Sequence, residues 1–210
     1  MSESFKEALA VVPLVAILRG ITPEEVIAVG DVLVASGFRI IEVPLTSPDA
    51  MRSIAMLSDH LGPATIVGAG TVRRVEQLDE LVAAGGTLMV TPHADTKLIR
   101  AAVDRNLATL PGVATPTEAF AAIDAGADAL KVFPSDIIPP STLAALRTVI
   151  GPDVPLIPTG GIQPETMDRY LVAGASGFGL GTALYRPGDS VAHVQKMARS
   201  FVTNLIAAYA

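Results

Sequence analysis

Apolar runs of strand length recur along the chain at intervals of roughly 20–26 residues, the length of a β-strand, a helix and two short loops. They occupy residues 13–19, 39–45, 64–71, 87–92, 107–111, 129–134, 154–159 and 177–181. Between them lie helical segments with recognisable ends. Thr22-Pro23-Glu24-Glu25 offers an N-cap, a proline in the first turn and acidic residues near the positive end of the helix dipole. Thr115-Pro116-Thr117-Glu118 and Gln163-Pro164-Glu165 repeat the device, and glycines such as Gly37, Gly85, Gly126 and Gly174 close the helices. A last helix over 191–208 carries Val191, Val194, Met197, Ala198, Phe201 and Leu205 at three- and four-residue spacing, a core-facing stripe. Eight βα units with buried parallel strands predict a single (β/α)8 TIM barrel, one α/β domain over 1–210 with a short N-terminal helix over 4–10. A doubly wound sheet would need a glycine fingerprint after the first strand, and Ile17-Leu18-Arg19-Gly20-Ile21-Thr22 is not one.

Composition narrows the function. Acidic residues outnumber basic ones 21 to 15, which argues against a nucleic-acid partner, since displacing phosphate counterions needs a basic face. Half the residues are hydrophobic, enough for outer surface to be buried between subunits. No run approaches the ~20 apolar residues of a membrane span, and Met1-Ser2-Glu3-Ser4-Phe5-Lys6-Glu7 lacks the basic-then-apolar order of a secretory signal. The expected location is the cytoplasm, with no membrane partner. With no cysteine there is neither a disulfide framework nor thiol catalysis.

Three of the apolar strands carry one charge each near the C-terminal end: Arg19, Glu42 and Lys131. Lysine is rarely buried, so Lys131 inside Ala129-Leu130-Lys131-Val132-Phe133-Pro134 needs a reason. Barrel active sites lie at the C-terminal ends of the strands. Counting by two along the strands predicts inward-facing sets: Val15, Ile17, Arg19; Ile40, Glu42, Pro44; Val67, Ala69, Thr71; Lys131, Phe133; and Ile157, Thr159. A buried lysine beside a carboxylate and an arginine suits imine chemistry. Only about one free lysine in 2,500 is neutral at pH 7, and burial or a nearby cation raises that fraction. Arg19 is the candidate cation, and Glu42 opposes it.

A second signal is independent. Gly160 and Gly161 follow the seventh strand, and Gly181-Thr182 follow the eighth, the pair of loops that binds phosphate in many barrels. His60, His93 and His193 are scattered without metal-ligand spacing, so no metal and no cofactor is expected. His93 reads as a loop residue near the mouth, and Arg73 and Arg74 as surface charge at a helix start.

At these positions the chain resembles the 2-keto-3-deoxy-6-phosphogluconate and 2-keto-3-deoxy-6-phosphogalactonate aldolases, over about residues 13–190. The resemblance rests on Ile17-Leu18-Arg19-Gly20-Ile21-Thr22-Pro23, Glu42-Val43-Pro44-Leu45, Gly68-Ala69-Gly70-Thr71-Val72, Leu130-Lys131-Val132-Phe133-Pro134, Gly160-Gly161-Ile162 and Gly179-Leu180-Gly181-Thr182. It implies a metal-free class I aldolase, a homotrimer, and a small phosphorylated keto acid as substrate, cleaved to pyruvate and glyceraldehyde 3-phosphate. By resemblance Lys131 forms the imine and Glu42 is the general acid/base. Arg19 and Thr71 surround the pyruvyl carboxylate, and Gly160, Gly161, Gly181 and Thr182 cradle the phosphate.

The branch signals conflict. Thr159 matches the gluconate branch, where the galactonate branch carries an apolar residue, whereas Thr46 stands where many gluconate enzymes carry arginine. The opening Leu18-Arg19-Gly20-Ile21-Thr22-Pro23 and the segment 184–190 lean towards the galactonate branch. The expectation is therefore a phosphogalactonate aldolase, against a phosphogluconate or 4-hydroxy-2-oxoglutarate aldolase. From other classes the rivals are a sugar-phosphate epimerase using Glu42 and Lys131 as acid and base, and a catalytically silent phosphate-binding barrel.

Overall fold

Each of the eight apolar runs carries a strand in the computed structural model, which describes residues 3–209. The strands are β1 (Leu14–Ile17), β2 (Ile40–Pro44), β3 (Ile66–Gly70), β4 (Leu88–Val90), β5 (Ala108–Leu110), β6 (Gly112–Val113), β7 (Leu130–Val132), β8 (Leu156–Pro158) and β9 (Phe178–Leu180). The helices are α1 (Glu3–Val11), α2 (Pro23–Ala35), α3 (Ala50–Leu61), α4 (Glu76–Ala83), α5 (Thr96–Val103), α6 (Pro116–Asp124), α7 (Pro140–Val149), α8 (Met167–Val172) and α9 (Val191–Tyr209). Strand pairing is parallel throughout the described ladders.

One continuous eight-stranded sheet was the expectation. The ladders instead form two pieces, β5-β4-β3-β2-β1-β9 and β6-β7-β8. Proline explains the breaks. β5 and β6 flank Pro111, which has no N–H to donate to a ladder. Its carbonyl still accepts from the Lys131 N–H at 2.9 Å, so the chain passes from pairing with β4 to pairing with β7. At the other seam β8 ends on Pro158, and the link to β9 narrows to a single bridge between Thr159 and Gly179. The result is a curled parallel sheet with helices packed outside it.

The curl separates two apolar layers. Leu14, Ala16, Ile41, Val43, Leu130, Val132, Phe178 and Leu180 face the helices. Val15, Ile40, Ile66, Leu88, Val90, Leu110, Ala129 and Ile157 meet inside the curl, where α1 inserts Phe5 with no exposure at all. Burying each such aliphatic side chain stabilises the fold by about 1.5–3 kcal/mol. The stripe on α9 follows the expected spacing: Val194, Ala198, Phe201 and Leu205 are buried. No helix of the described residues is long and apolar enough to cross a membrane.

All three expected helix starts close as capping boxes. The Glu25 carboxylate accepts from the Thr22 N–H (3.2 Å) and hydroxyl (3.0 Å), and Glu118 accepts from the Thr115 N–H and hydroxyl (2.9 and 2.8 Å). The third differs, because Gln163-Pro164 opens a 3-10 turn (Pro164–Thr166) before α8.

Arg147 ties the far end of this architecture together. Its Nε and Nη2 donate to the Gly174 carbonyl (3.0 and 2.8 Å), its Nη1 to the carbonyls of Gly151 and Val154 (2.9 Å each), and Nη2 also reaches Ser176 Oγ at 3.2 Å. One planar guanidinium thus joins the end of α7 to the loops that lead into β8 and β9. Arg147→Ala should lower unfolding free energy by about 2–4 kcal/mol and the melting temperature by roughly 5–15 °C. Arg147→Lys should recover little of it, since an ammonium cannot reproduce the fork. Chemical denaturation measures this, and a loss under about 0.5 kcal/mol would mean that water replaces those bonds.

Candidate active site

Glu42 on β2 and Lys131 on β7 come from strands that do not pair with each other, yet Oε1 of the glutamate lies 3.6 Å from Nζ of the lysine. Both are buried, at 1% and 6% exposure. Alternation aims them inward: Ile40 and Ala129, two residues before each, belong to the interior cluster. Lys131 Nζ also sits 5.3 Å from the centre of the Phe133 ring, a weak cation–π contact. Oε2 of Glu42 has no hydrogen-bond partner among the described residues.

Room for this carboxylate comes from β3. A Cβ at Gly70 would overlap Glu42 Oε2, and one at Gly68 would overlap the Leu88 carbonyl. The inward face of β3 is therefore Ile66, Gly68, Gly70, while Val67 and Ala69 pack outward against the helices. This corrects the inward set Val67, Ala69, Thr71. The missed signal is glycine at alternate positions in Gly68-Ala69-Gly70, an inner face stripped of side chains because another strand's side chain occupies the space.

Thr71 consequently arrives by a different route. Its φ of 57° breaks the strand geometry after Gly70. It lines a separate hollow of about 300 Å³ with Leu45, Thr46, Arg73, Arg74 and Gln77. Arg19 stands between that hollow and the main one. β1 stops at Ile17 rather than at Arg19, whose side chain is exposed and donates from Nη1 to Thr46 Oγ1 at 3.1 Å. The turn carrying it is pinned where the Gly20 N–H donates to Ser47 Oγ at 2.8 Å.

A cavity of about 340 Å³ beside Lys131 opens at the C-terminal ends of the strands. Arg19, Lys131, Phe133, Thr159, Gly160, Gly161, Gly181 and Thr182 all line it. Glu42 and Thr71 are not among its walls. Gly160 and Gly161 have φ values of 100° and 68°, a conformation that side chains resist. A Cβ at Gly161 would also overlap the carboxylate of Asp136, a cavity residue that the sequence analysis did not single out. Gly181 is different: a Cβ there would meet nothing within 4 Å. Thr159 is buried, with its hydroxyl donating to the Ile157 carbonyl (3.2 Å) and its N–H to Ser135 Oγ (2.9 Å). His93 lines neither hollow, and Arg73 and Arg74 are exposed.

The sequence model of the KDPG and KHG aldolases matches residues 5–197. The chain belongs to that family. The 2-dehydro-3-deoxy-6-phosphogalactonate aldolase of Escherichia coli (strain K12) is 44% identical to it over 190 residues, 90% of this chain and 93% of the relative. The 2-dehydro-3-deoxy-phosphogluconate aldolase of Zymomonas mobilis subsp. mobilis (strain ATCC 31821 / ZM4 / CP4) is 35% identical over 68% of each chain. Among solved structures, one described as native KDPGal superposes with a TM-score of 0.93 at 42% identity, covering 94% of this chain and 96% of its own. The fold of this KDPG/KHG aldolase family member is thus that of its family, with the Glu42–Lys131 pair at its centre.

The electrostatics of that pair give a measurable consequence. Burial raises the Glu42 carboxyl above the usual carboxylate range, and the charges of Lys131 and Arg19 only partly oppose this. The group should therefore keep its proton to a higher pH than the 4.5 of an unperturbed glutamate. A carbon-13 NMR titration of the glutamate carboxyls should find one, lost in Glu42→Gln, with its midpoint above that value. A midpoint below it would mean that pairing with Lys131 outweighs desolvation.

Proposed function

We propose that the chain is a class I aldolase that cleaves 2-keto-3-deoxy-6-phosphogalactonate to pyruvate and glyceraldehyde 3-phosphate through an imine on Lys131. The observation that carries this reading is the buried Lys131 ammonium, 3.6 Å from a buried carboxylate and open to a cavity of substrate size. An ion pair that costs desolvation without covering a seam of the fold is retained for chemistry.

The amine attacks the C2 carbonyl, and loss of water leaves a protonated imine that draws electrons from the C3–C4 bond. Glu42, directly or through a water, takes the proton of the C4 hydroxyl as that bond breaks, releasing glyceraldehyde 3-phosphate. The enamine left on Lys131 regains a proton at C3 from Glu42, and water releases pyruvate. Oε2 of Glu42, unpartnered, is free to hold that proton. Arg19, with Thr71 beyond it, receives the pyruvyl carboxylate. Gly160, Gly161, Gly181 and Thr182, which line the same cavity, receive the phosphate. An epimerase or a silent barrel would not form a covalent pyruvyl adduct.

The same reading carries the rest of the architecture. We read the chain as one domain over 1–210; the Thr159–Gly179 bridge and the continuous chain across Pro111 support closure of the two sheets as an eight-stranded barrel. Val172 at 91% exposure and Ile137 at 74% leave large apolar side chains in water on the lone chain, which supports assembly as a homotrimer. The enzyme works in the cytoplasm on a soluble phosphorylated keto acid.

Incubation with pyruvate and borohydride should attach a three-carbon adduct to Lys131, located by mass spectrometry. Glu42→Gln should still trap pyruvate while losing about 10²–10⁴-fold in cleavage. Active enzyme with an unmodified Lys131 would overturn the imine mechanism, and a loss under tenfold would make Glu42 structural.

Thr159 lines the cavity, and we read it as lying near C4 of the substrate. Its hydroxyl already donates to the Ile157 carbonyl and so offers the substrate an acceptor. The closer likeness to the galactonate enzyme favours that epimer as the physiological substrate, with both epimers cleaved. Thr159→Val should shift the ratio of kcat/KM further towards the galactonate epimer, by roughly 2- to 150-fold. Coupled pyruvate detection with each epimer measures it, and an unchanged ratio would place C4 recognition elsewhere.

A further inference from the structure

Ser47 carries a buried hydroxyl that bonds to the main chain on both sides of Arg19. Its Oγ accepts from the Gly20 N–H at 2.8 Å and donates to the Leu18 carbonyl at 3.4 Å. Ser47 is 6% exposed, whereas Arg19, which lines the cavity beside Lys131, is an exposed side chain. One oxygen thus brackets the backbone of the cavity arginine.

The turn so held is tight. β1 ends at Ile17, and the Leu18 N–H still donates to the Glu42 carbonyl at 3.0 Å. The Leu18 carbonyl accepts from the Ile21 N–H at 3.3 Å, which closes residues 18–21 as a β-turn. Gly20 has a φ of 83°, and a Cβ there would overlap Pro187, so the turn has one shape to adopt. Bonds inside the turn fix that shape, and Ser47 fixes where it sits against β2.

Ser47 is in turn fixed by the strand that carries Glu42. Its N–H donates to the carbonyl of Pro44, the last residue of β2, at 2.8 Å. The adjacent Thr46 accepts from Arg19 Nη1 through Oγ1 at 3.1 Å. Residues 46 and 47 therefore hold Arg19 at both ends, one at the guanidinium and the other at the main chain. A long exposed side chain loses rotamer freedom when it binds an anion, and one that is already held has less to lose.

We infer that Ser47 is a positioning residue for substrate binding: by fixing the main chain at Leu18 and Gly20 it preorganises Arg19 to receive an anionic group of the substrate. The inference rests on the reading of Arg19 as an anion-binding residue and adds the group that holds it in place. It assigns to Ser47 an effect on affinity, which a hydroxyl that only stitches two loops together would not have.

Steady-state cleavage of 2-keto-3-deoxy-6-phosphogalactonate by the full-length chain, Ser47→Ala, Arg19→Ala and the double variant tests this. Ser47→Ala should raise KM by roughly 2- to 10-fold, the effect of one neutral hydrogen bond, with kcat largely kept. Arg19→Ala should raise KM further. Adding Ser47→Ala to it should then change KM no more, because the arginine that the serine positions is gone. Partial unfolding lowers kcat per mole of protein and leaves KM alone, so lost stability does not imitate this pattern. An unchanged KM in Ser47→Ala, an equal rise in both backgrounds, or a Ser47→Ala chain that does not fold would make the hydroxyl structural. Each of these overturns the inference and leaves the reading of Arg19 intact. If Arg19→Ala itself leaves KM as it is, that reading fails and the inference fails with it.

Discussion

A lysine and a glutamate cannot be taken out of water separately in this protein, and much of the architecture follows from taking them out together. Each ion alone would cost several kcal/mol to bury, and even the pair is barely compensated by mutual attraction. At 3.6 Å, with one carboxylate oxygen unpartnered, the Glu42–Lys131 pair is an unrelieved arrangement. It persists because the strands that carry it are locked by apolar layers on both faces. β3 gives up its inward side chains at Gly68 and Gly70 so that the carboxylate has somewhere to lie. Phe5 and the aliphatic residues beneath keep the interior dry. Burial raises the Glu42 carboxyl above the ordinary carboxylate range.

The cavity at the strand ends combines two formal cations, Lys131 and Arg19, with tight glycine turns and the carboxylate of Asp136. Thr159 lines this cavity and also belongs to the seam where β8 meets β9, so one residue serves both the cavity wall and the sheet.

Much of this was legible along the chain. The strand-and-helix period, the capping signals at Thr22 and Thr115, and the stripe on α9 depend on neighbours within one or two turns, and they appear where local chemistry places them. Lone charges in apolar runs identified Lys131 and Glu42, because a buried charge is conspicuous against its own sequence background. Arg19 was harder. The strand ends two residues earlier than its apolar run, and the side chain lies out over Thr46.

What the sequence by itself determined is whatever a segment decides against water: which stretches are strands, where helices begin, and which charges are anomalous. What only the tertiary structure decided is whatever one segment decides against another. The alternation rule cannot tell which face of Ile66–Gly70 is inward until the Glu42 side chain occupies the space beside Gly70. Nor does any local pattern reveal that Asp136 lies on the backbone of Gly161, since 25 residues separate them and only the curl of the sheet brings β7 and β8 side by side. Excluded volume and charge act through space, whereas the periodicities that make a sequence readable act along the chain.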